Sequence, residues 1–456
     1  MFDESTGSKE ETTGLDAGRS GLPGMTDSRE NFDESTSKQG KVQAEQANGQ
    51  SATSPKETTS WLNRNVIGIS FVSLFSDMSH EMATAILPFF IIFDLGGSAA
   101  IVGLVEGASD GASSAVKSYS GYLSDKIGKR TPIMYLGYAL TGALIPAVGF
   151  CTSWLQVLAL RVGAWMGRGS RGPPRDALLT ESVPAKSVGK AFGFQRGMDT
   201  TGAVVGPAIA LLLIPYLPYP SIFFVSFIPG LVSVLVVVTL VREIRGRKKF
   251  EQKSFRSSVG NLPRTFKLFL VGAGLFGIAN FSNVIFTLRA EQILQPSLGP
   301  KEGSEFAVLL YVLLNLVYAV ASFPIGYLAD RISKRVLLAS GYIIFAFACV
   351  ASIFEAPYLP ILVAIFVLAG LHVAIVDTVE GAYAAELLDE SHRGSGFGVL
   401  QTINGIGDFT SSILIGVMIT FFTAWLGFTL LATMAVSAAI VLMVLTRNRR
   451  PTPTGL

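Results

Sequence analysis

From Asn65 onward the chain alternates long apolar runs with short polar connections. A run of about 20 residues is what an α-helix needs to cross the hydrocarbon core of a bilayer. Twelve such runs are read, over 65–93, 99–123, 131–151, 154–182, 188–215, 220–241, 266–290, 305–328, 336–354, 359–388, 395–421 and 424–446. They predict an all-α membrane protein with twelve transmembrane helices. Residues 1–60 follow the opposite pattern, with Ser, Thr, Glu, Gly and Lys and almost no large apolar side chain. Such a segment buries too little surface to offset its ordering entropy, so a disordered tail is expected. Within it, Phe2-Asp3-Glu4-Ser5-Thr6 recurs as Phe32-Asp33-Glu34-Ser35-Thr36. That repeat is read as low-complexity drift, with a docking motif as the sharper alternative.

Composition narrows the class further. Hydrophobic residues make up 50% of the chain and charged residues only 15%, where a soluble chain carries about 25% charged residues. Cys151 and Cys349 form no disulfide framework and have no metal-ligand spacing. The polar first 60 residues contain no cleavable signal pattern. No cofactor is implied, and no nucleophile–base pair or phosphate loop suggests an enzyme.

The connections fix an expected orientation. Lys126, Lys129 and Arg130, then Lys186 and Lys190, then Arg331, Lys334 and Arg335, and finally Arg393 fall in alternate connections. The intervening ones, near 94–98, 152–153, 216–219, 355–358 and 422–423, hold no Lys or Arg. Lys301, in the expected loop 291–304, is the exception. By the positive-inside rule both termini and the basic loops are cytoplasmic. The connection 242–267 holds nine Lys/Arg and two Glu. It reads as a topology-setting linker near anionic lipid, in preference to nucleic-acid binding. The expected plan is a tail over 1–60, a six-helix half over 61–241, the basic linker over 242–267, a second half over 268–446 and a cytoplasmic tail over 447–456.

The two halves carry one motif twice. Gly121-Tyr122-Leu123-Ser124-Asp125-Lys126-Ile127-Gly128-Lys129-Arg130 returns 205 residues later as Gly326-Tyr327-Leu328-Ala329-Asp330-Arg331-Ile332-Ser333-Lys334-Arg335. The same offset pairs Glu181 with Glu386, Gly189 with Gly394 and Phe192-Gly193 with Phe397-Gly398. Both halves start on the same side, so the repeat is parallel. Gly121 and Gly326 are expected to permit close helix contact. Asp125 and Asp330 are expected to cap a helix or pair with a basic residue across the halves. Lys129, Arg130, Lys334 and Arg335 are expected to hold the loops at the lipid head groups.

The Gly-x-Leu-x-Asp-x-x-Gly-x-Arg/Lys pattern resembles the loop motif of the major facilitator superfamily, and the resemblance covers about 65–446. In the second copy Ser333 replaces the later glycine. Gly202-Ala203-Val204-Val205-Gly206-Pro207 is similar to the antiporter-associated motif of that superfamily, without its trailing glycine pair. Trp165 stands four residues after Arg161, where the superfamily's fourth-helix motif has glycine. The resemblance implies two six-helix halves around a central cavity lined by the first, fourth, seventh and tenth spans. It also implies alternating access, with the repeated loops as a cytoplasmic gate.

Charges inside spans cost about 3 kcal/mol or more by insertion scales, so each is a functional candidate. Asp77, His80 and Glu81 share one face of the first span. Glu106 and Asp110 share a face of the second, with Lys117 two turns on. Arg161, Arg168, Arg171 and Arg175 follow one stripe of the fourth span, beside Asp176. Arg196 and Asp199 lie in the fifth. His372, Asp377 and Glu380 lie in the tenth and Asp408 in the eleventh, while the seventh offers Asn280, Ser282 and Asn283. The plainer reading is internal ion pairing, favoured for Arg175, Asp176, Glu181, Arg196 and Asp199. A proton carrier needs an acid whose proton affinity changes with exposure and charge. Asp77 and Glu81 fit, with Arg168 as their partner. Histidine titrates near neutral pH, which makes His80 and His372 second candidates. Pro173-Pro174 is expected to break the fourth span, and Gly202, Gly206 and Pro207 to provide a hinge.

The substrate and proton cavity is therefore expected from Asp77, His80, Glu81, Asp110, Arg168, Arg171, Asn280, Asn283, His372, Asp377 and Glu380. The function expected is a monomeric secondary transporter of a small molecule in the cell membrane, driving efflux by proton antiport. Proton-coupled uptake of an anionic metabolite is the alternative, and a non-transporting sensor or scaffold the other.

Overall fold

The computed structural model describes residues 60–184, 187–244, 262–329, 331–355, 357–388 and 393–446. The repeat in the N-terminal tail, the centre of the basic linker and the C-terminal tail lie outside them. The described chain is almost wholly helical, in fourteen α-helices. They are α1 (Arg64–Phe89), α2 (Ala99–Ile127), α3 (Thr131–Ala147), α4 (Trp154–Glu181), α5 (Val188–Leu213), α6 (Tyr219–Val225) and α7 (Phe227–Leu240) in the first half. The second half holds α8 (Arg264–Gly277), α9 (Val284–Leu298), α10 (Pro300–Ala329), α11 (Lys334–Ala351), α12 (Leu359–Leu387), α13 (Arg393–Phe421) and α14 (Ala424–Leu445). A short π-helix, Phe90–Asp94, extends α1. All twelve expected spans are present. The sixth is α6 plus α7, interrupted at Ser226, and the seventh is α8 plus α9.

Among the described residues seven helices are long and apolar enough to cross a membrane by length and composition. The spans outside that set are the charged first, second, fourth and fifth and the broken seventh. Their outward surface is still apolar: Leu212 of the fifth is 69% and Leu155 of the fourth 60% exposed, as side chains facing lipid tails would be.

Three expectations are corrected here. The seventh span is not one helix over 266–290, because it opens between Gly277 and Val284, around its polar residues Asn280, Ser282 and Asn283. The freed backbone is tied down from α13. The Ser411 hydroxyl donates to the Asn280 carbonyl at 2.6 Å, and the Ser282 N–H donates to Ser412 Oγ at 3.1 Å. Residues 291–304 are not a loop either. α9 runs on to Leu298, and α10 starts at Pro300 after a single left-handed glycine, Gly299, at φ 88°. Finally, Pro173-Pro174 does not break α4, which stays helical to Glu181. A proline clashes with the carbonyl of residue i−4 and removes one helical bond. Packing on both sides carries α4 through: Gly169 rests on the Ser113 backbone of α2, and Gly167 on Gly137 of α3.

Close glycine contacts set the positions of the charged helices. A Cβ on Gly202 would stand 2.3 Å from the Leu74 carbonyl oxygen, and one on Gly206 2.5 Å from that of Met78. The expected hinge is thus a backbone-to-backbone seam pressing α5 onto α1. Gly103 of α2 meets the Ser412 carbonyl of α13 at 2.2 Å on the same measure, a seam between the halves. By contrast, Gly121 and Gly326 have room: their nearest neighbours, Pro173 and Thr378, are 3.4 and 3.6 Å from an added Cβ. Those two neighbours are themselves 205 residues apart, so the duplication holds in three dimensions. Gly202→Ala is expected to cost about 1–3 kcal/mol, the usual range for overpacking. Gly197→Ala on the same helix, with open space around it, should be neutral or stabilising. Melting curves of the two purified variants check this.

Candidate functional site

At the end of the bundle bearing the basic loops, the matched glutamates do the same job in each half. Arg130 donates from Nη2 to Glu181 Oε1 at 2.8 Å, and Lys334 Nζ donates to Glu386 Oε2 at 3.0 Å. Arg130 is only 5% exposed, so it braces the loop internally and does not reach out to lipid head groups as expected. Glu243, at the start of the linker, caps α3. Its Oε2 accepts from the N–H groups of Arg130 and Thr131 at 2.9 and 2.8 Å and from the Thr131 hydroxyl at 2.8 Å. Asp330 and the side chain of Asp125 lie outside the described residues. Lys129, Arg335 and the glycines stand beside these braces in sequence.

The charged face of α1 meets α2 and α4 in one buried cluster. Arg161, 1% exposed, donates to Glu106 Oε1 at 3.0 Å and to Thr84 Oγ1 at 2.9 Å. Its guanidinium carbon lies 3.4 Å from the centre of the Trp165 ring, a cation–π contact. Trp165 Nε1 in turn donates to Asp110 Oδ1 at 2.9 Å, and the ring stands edge-on to His80. The departure from the superfamily pattern at Trp165 therefore has a use, since it gives two charged groups a common wall.

His80 is the hub of the cluster and is 1% exposed. Its Nδ1 lies 3.5 Å from Asp77 Oδ1 and its Nε2 3.1 Å from Glu81 Oε1. Arg168 Nη1 contacts the same Nε2. The expected direct pairing of Arg168 with Asp77 and Glu81 is thus corrected, because the histidine intervenes. The expected arginine stripe is corrected too. Its members diverge to α2 (Arg161), α1 (Arg168), α3 (Arg171 over the Tyr138 ring at 4.1 Å) and the Asp176–Asp199 pair (Arg175). Arg171 turns to Tyr138 behind the cluster, and its only carboxylate contact among the described residues is Asp77 at 3.9 Å. Spacings of seven, three and four residues align these side chains in sequence. Their length lets each reach a different neighbouring helix.

The second half completes this cluster. Tyr311 of α10 donates to Glu81 Oε2 at 2.8 Å, and Ser282 donates to Glu106 Oε2 at 2.9 Å. Three more bonds join the halves at the end opposite the basic loops. Tyr219 meets Ser304 at 2.8 Å, Ala100 N–H donates to Thr420 Oγ1 at 2.8 Å, and Lys301 Nζ donates to the Pro215 carbonyl at 3.0 Å. Lys301, the exception to the charge alternation, is thus used at the seam. A pocket of about 390 Å³ between Asp94, Pro215 and Lys301 opens at that same end, away from the charged cluster.

The acids of the second half are held separately. Tyr318 donates to Asp377 Oδ2 at 3.1 Å, and Asn404 Nδ2 to Glu380 Oε2 at 2.7 Å. His372 and Asp408 flank Asn280, while Asn283 is the N-cap residue of α9. Tyr311, Tyr318 and Asn404 were not singled out in the sequence, and Trp165 only as a departure from a motif. The two tyrosines lie two turns apart on one face of the mainly apolar stretch 306–325, a signal that could have found them. Among the described residues no group of His, Cys, Asp and Glu could hold a metal ion.

Comparison with known proteins agrees with this architecture. The profile of the Major Facilitator Superfamily matches residues 69–295 and again 293–456. An uncharacterized MFS-type transporter of Methanocaldococcus jannaschii is 33% identical over 78% of this chain and 88% of its own length. The cis,cis-muconate transport protein of Acinetobacter baylyi is 24% identical over 68% of this chain and 76% of its own. A bacterial homologue of the human lysosomal transporter Spinster, solved in an inward-facing and occupied conformation, superposes with a TM-score of 0.69 at 18% identity. That match covers 85% of this chain and 98% of the other.

Proposed function

Because the chain belongs to the Major Facilitator Superfamily, a family of transporters and not of enzymes, we propose which gradient drives it and which residues couple that gradient to cargo. The chain is a secondary transporter that moves a small molecule across a membrane. The proposed activity is efflux by proton antiport through alternating access, as a monomer in the cell membrane with termini and basic loops cytoplasmic.

One observation carries the coupling. His80 Nε2 lies between a donor, Arg168, and an acceptor, Glu81. A neutral imidazole nitrogen accepts from the guanidinium, whereas a protonated one donates to the carboxylate and repels the guanidinium. One proton therefore selects one of two arrangements at the centre of α1, and a protein with two such states shifts with whatever ligand prefers one of them. Glu81 also accepts from Tyr311 of the other half, which ties the choice to how the halves meet. Asp77 and Asp110 steady the histidine and its tryptophan wall. The Gly202–Gly206 seam, in the stretch similar to the antiporter motif, holds α5 on this helix.

The bonds between the halves at mid-depth and the far end, together with braces inside each half at the basic end, support a cytoplasm-open state. The cargo path runs beside the cluster toward Asp377 and Glu380 on α12. An anionic cargo gains little support, since the α4 arginines already face carboxylates or rings. The antiport reading is tested on purified protein in weakly buffered detergent, with cargo found by a thermal-shift screen. Competition between cargo and proton predicts that cargo binding releases protons to a pH dye. Proton uptake would favour symport, and no proton change would remove the coupling.

A further inference from the structure

The second half poses a donor–acceptor problem of its own. His372 is 2% exposed, and its Nδ1 lies 3.1 Å from the carbonyl oxygen of Gly341. A carbonyl only accepts, so Nδ1 carries a hydrogen. The other nitrogen, Nε2, lies 3.2 Å from the side-chain amide of Asn280, whose far end is 3.4 Å from Asp408 Oδ1. An asparagine amide presents an acceptor at one end and a donor at the other, and its orientation follows from its partners. The backbone of Asn280 is fixed by Ser411 at the break between α8 and α9.

Two arrangements satisfy every atom. In one, a protonated His372 donates to Asn280 Oδ1 and Asn280 Nδ2 donates to the Asp408 carboxylate. In the other, Asn280 Nδ2 donates to a neutral His372 and a protonated Asp408 donates to Asn280 Oδ1. Each holds one proton beyond the Nδ1 hydrogen. With no such proton, the amide faces two acceptors and its oxygen meets one of them. With two, it faces two donors and its NH₂ meets one of them. Buried polar groups left without a partner are costly, so both of those states are disfavoured.

We infer that His372, Asn280 and Asp408 form a binding site for a single proton, with the Asn280 amide turning to follow it. The site reaches the seam between the halves. Asp110 and Lys117 of α2 face Asp408 across it, with Glu380 of α12 alongside. The rings of Phe276 and Phe345 enclose His372. Nothing in this inference requires the His80 reading, and it stands if that reading fails.

The test uses the full chain in lipid bilayers. It combines NMR of isotope-labelled histidine with infrared detection of protonated carboxyl groups. The chain has three histidines, His80, His372 and His392, so His80→Gln and His392→Gln assign the His372 signal. At neutral pH the expected result is one proton: either His372 Nε2 is protonated, or an acid band is present that Asp408→Asn removes. Asp408→Asn leaves His372 neutral in both cases. In the wild type the first and second protons of the pair should titrate far apart, and Asn280→Ala should bring the two steps to those of independent groups. Finding neither group protonated at neutral pH, or both, overturns the proposal. So does a titration that Asn280→Ala leaves unchanged.

Discussion

Replacing Glu106 with alanine is expected to destabilise the protein by about 3–5 kcal/mol, the range for removing one partner of a buried ion pair. Arg161 is 1% exposed and Glu106 accepts its Nη2 at 3.0 Å. Thr84 and the Trp165 face would remain, but neither carries a compensating charge. The same substitution strands the Ser282 hydroxyl, which donates to Glu106 from the other half. Glu106→Gln keeps an acceptor for Arg161 and should cost less. Replacing both members with apolar residues should recover most of the loss, because such swaps of a buried pair are often neutral or better. Melting of the purified single and double variants reads the coupling energy as a double-mutant cycle. A Glu106→Ala protein that melts with the wild type would show that the pair contributes nothing.

His80→Gln is expected to uncouple proton from cargo. Glutamine preserves polarity and approximate length but cannot carry the proton that chooses between Arg168 and Glu81. A hydrogen bond to a charged group is worth about 1.5–3 kcal/mol net, and about 1.4 kcal/mol is a factor of ten. Cargo-induced proton release should therefore fall roughly 10- to 100-fold, and the pH profile of cargo binding should flatten. Glu81→Gln removes the negative charge that favours a protonated His80 and Arg168→Gln the positive charge that disfavours it, so these two variants should displace the pH profile in opposite directions. If His80→Gln released protons like the wild type, coupling would have to lie elsewhere, with the His372 site as the next place to look.

Spans, duplication and paired loops were legible because each rests on composition over many residues. Length and hydropathy give the twelve helices, and the 205-residue offset brings Glu181 and Glu386 to equivalent braces. Features decided by a single neighbour were harder to read. The break at Asn280 depends on Ser411 and Ser412 of a helix more than 120 residues later. Continuity through Pro173-Pro174 depends on glycine contacts with α2 and α3. The structure gathers Asp77, His80, Glu81, Asp110 and Arg168 of the expected cavity around one cluster and holds Asp377 and Glu380 apart from it, and the partners of the arginines differ from those expected. Helical spacing gives the face a side chain leaves from, and the rotation and crossing of neighbouring helices decide where a long arginine ends. Arg168 thus meets His80, Arg171 meets Tyr138, and Trp165 takes a place that a glycine pattern would have left open.

The most direct test of proton antiport is the sign of proton movement in everted membrane vesicles with an acidified lumen. The cargo from the thermal-shift screen is added outside, at the face that is cytoplasmic in the cell. The account predicts that cargo enters as protons leave, so the lumen turns alkaline with wild-type protein and stays acidic with His80→Gln. A lumen that grows more acidic on adding cargo, or cargo entry with no proton movement, would contradict it.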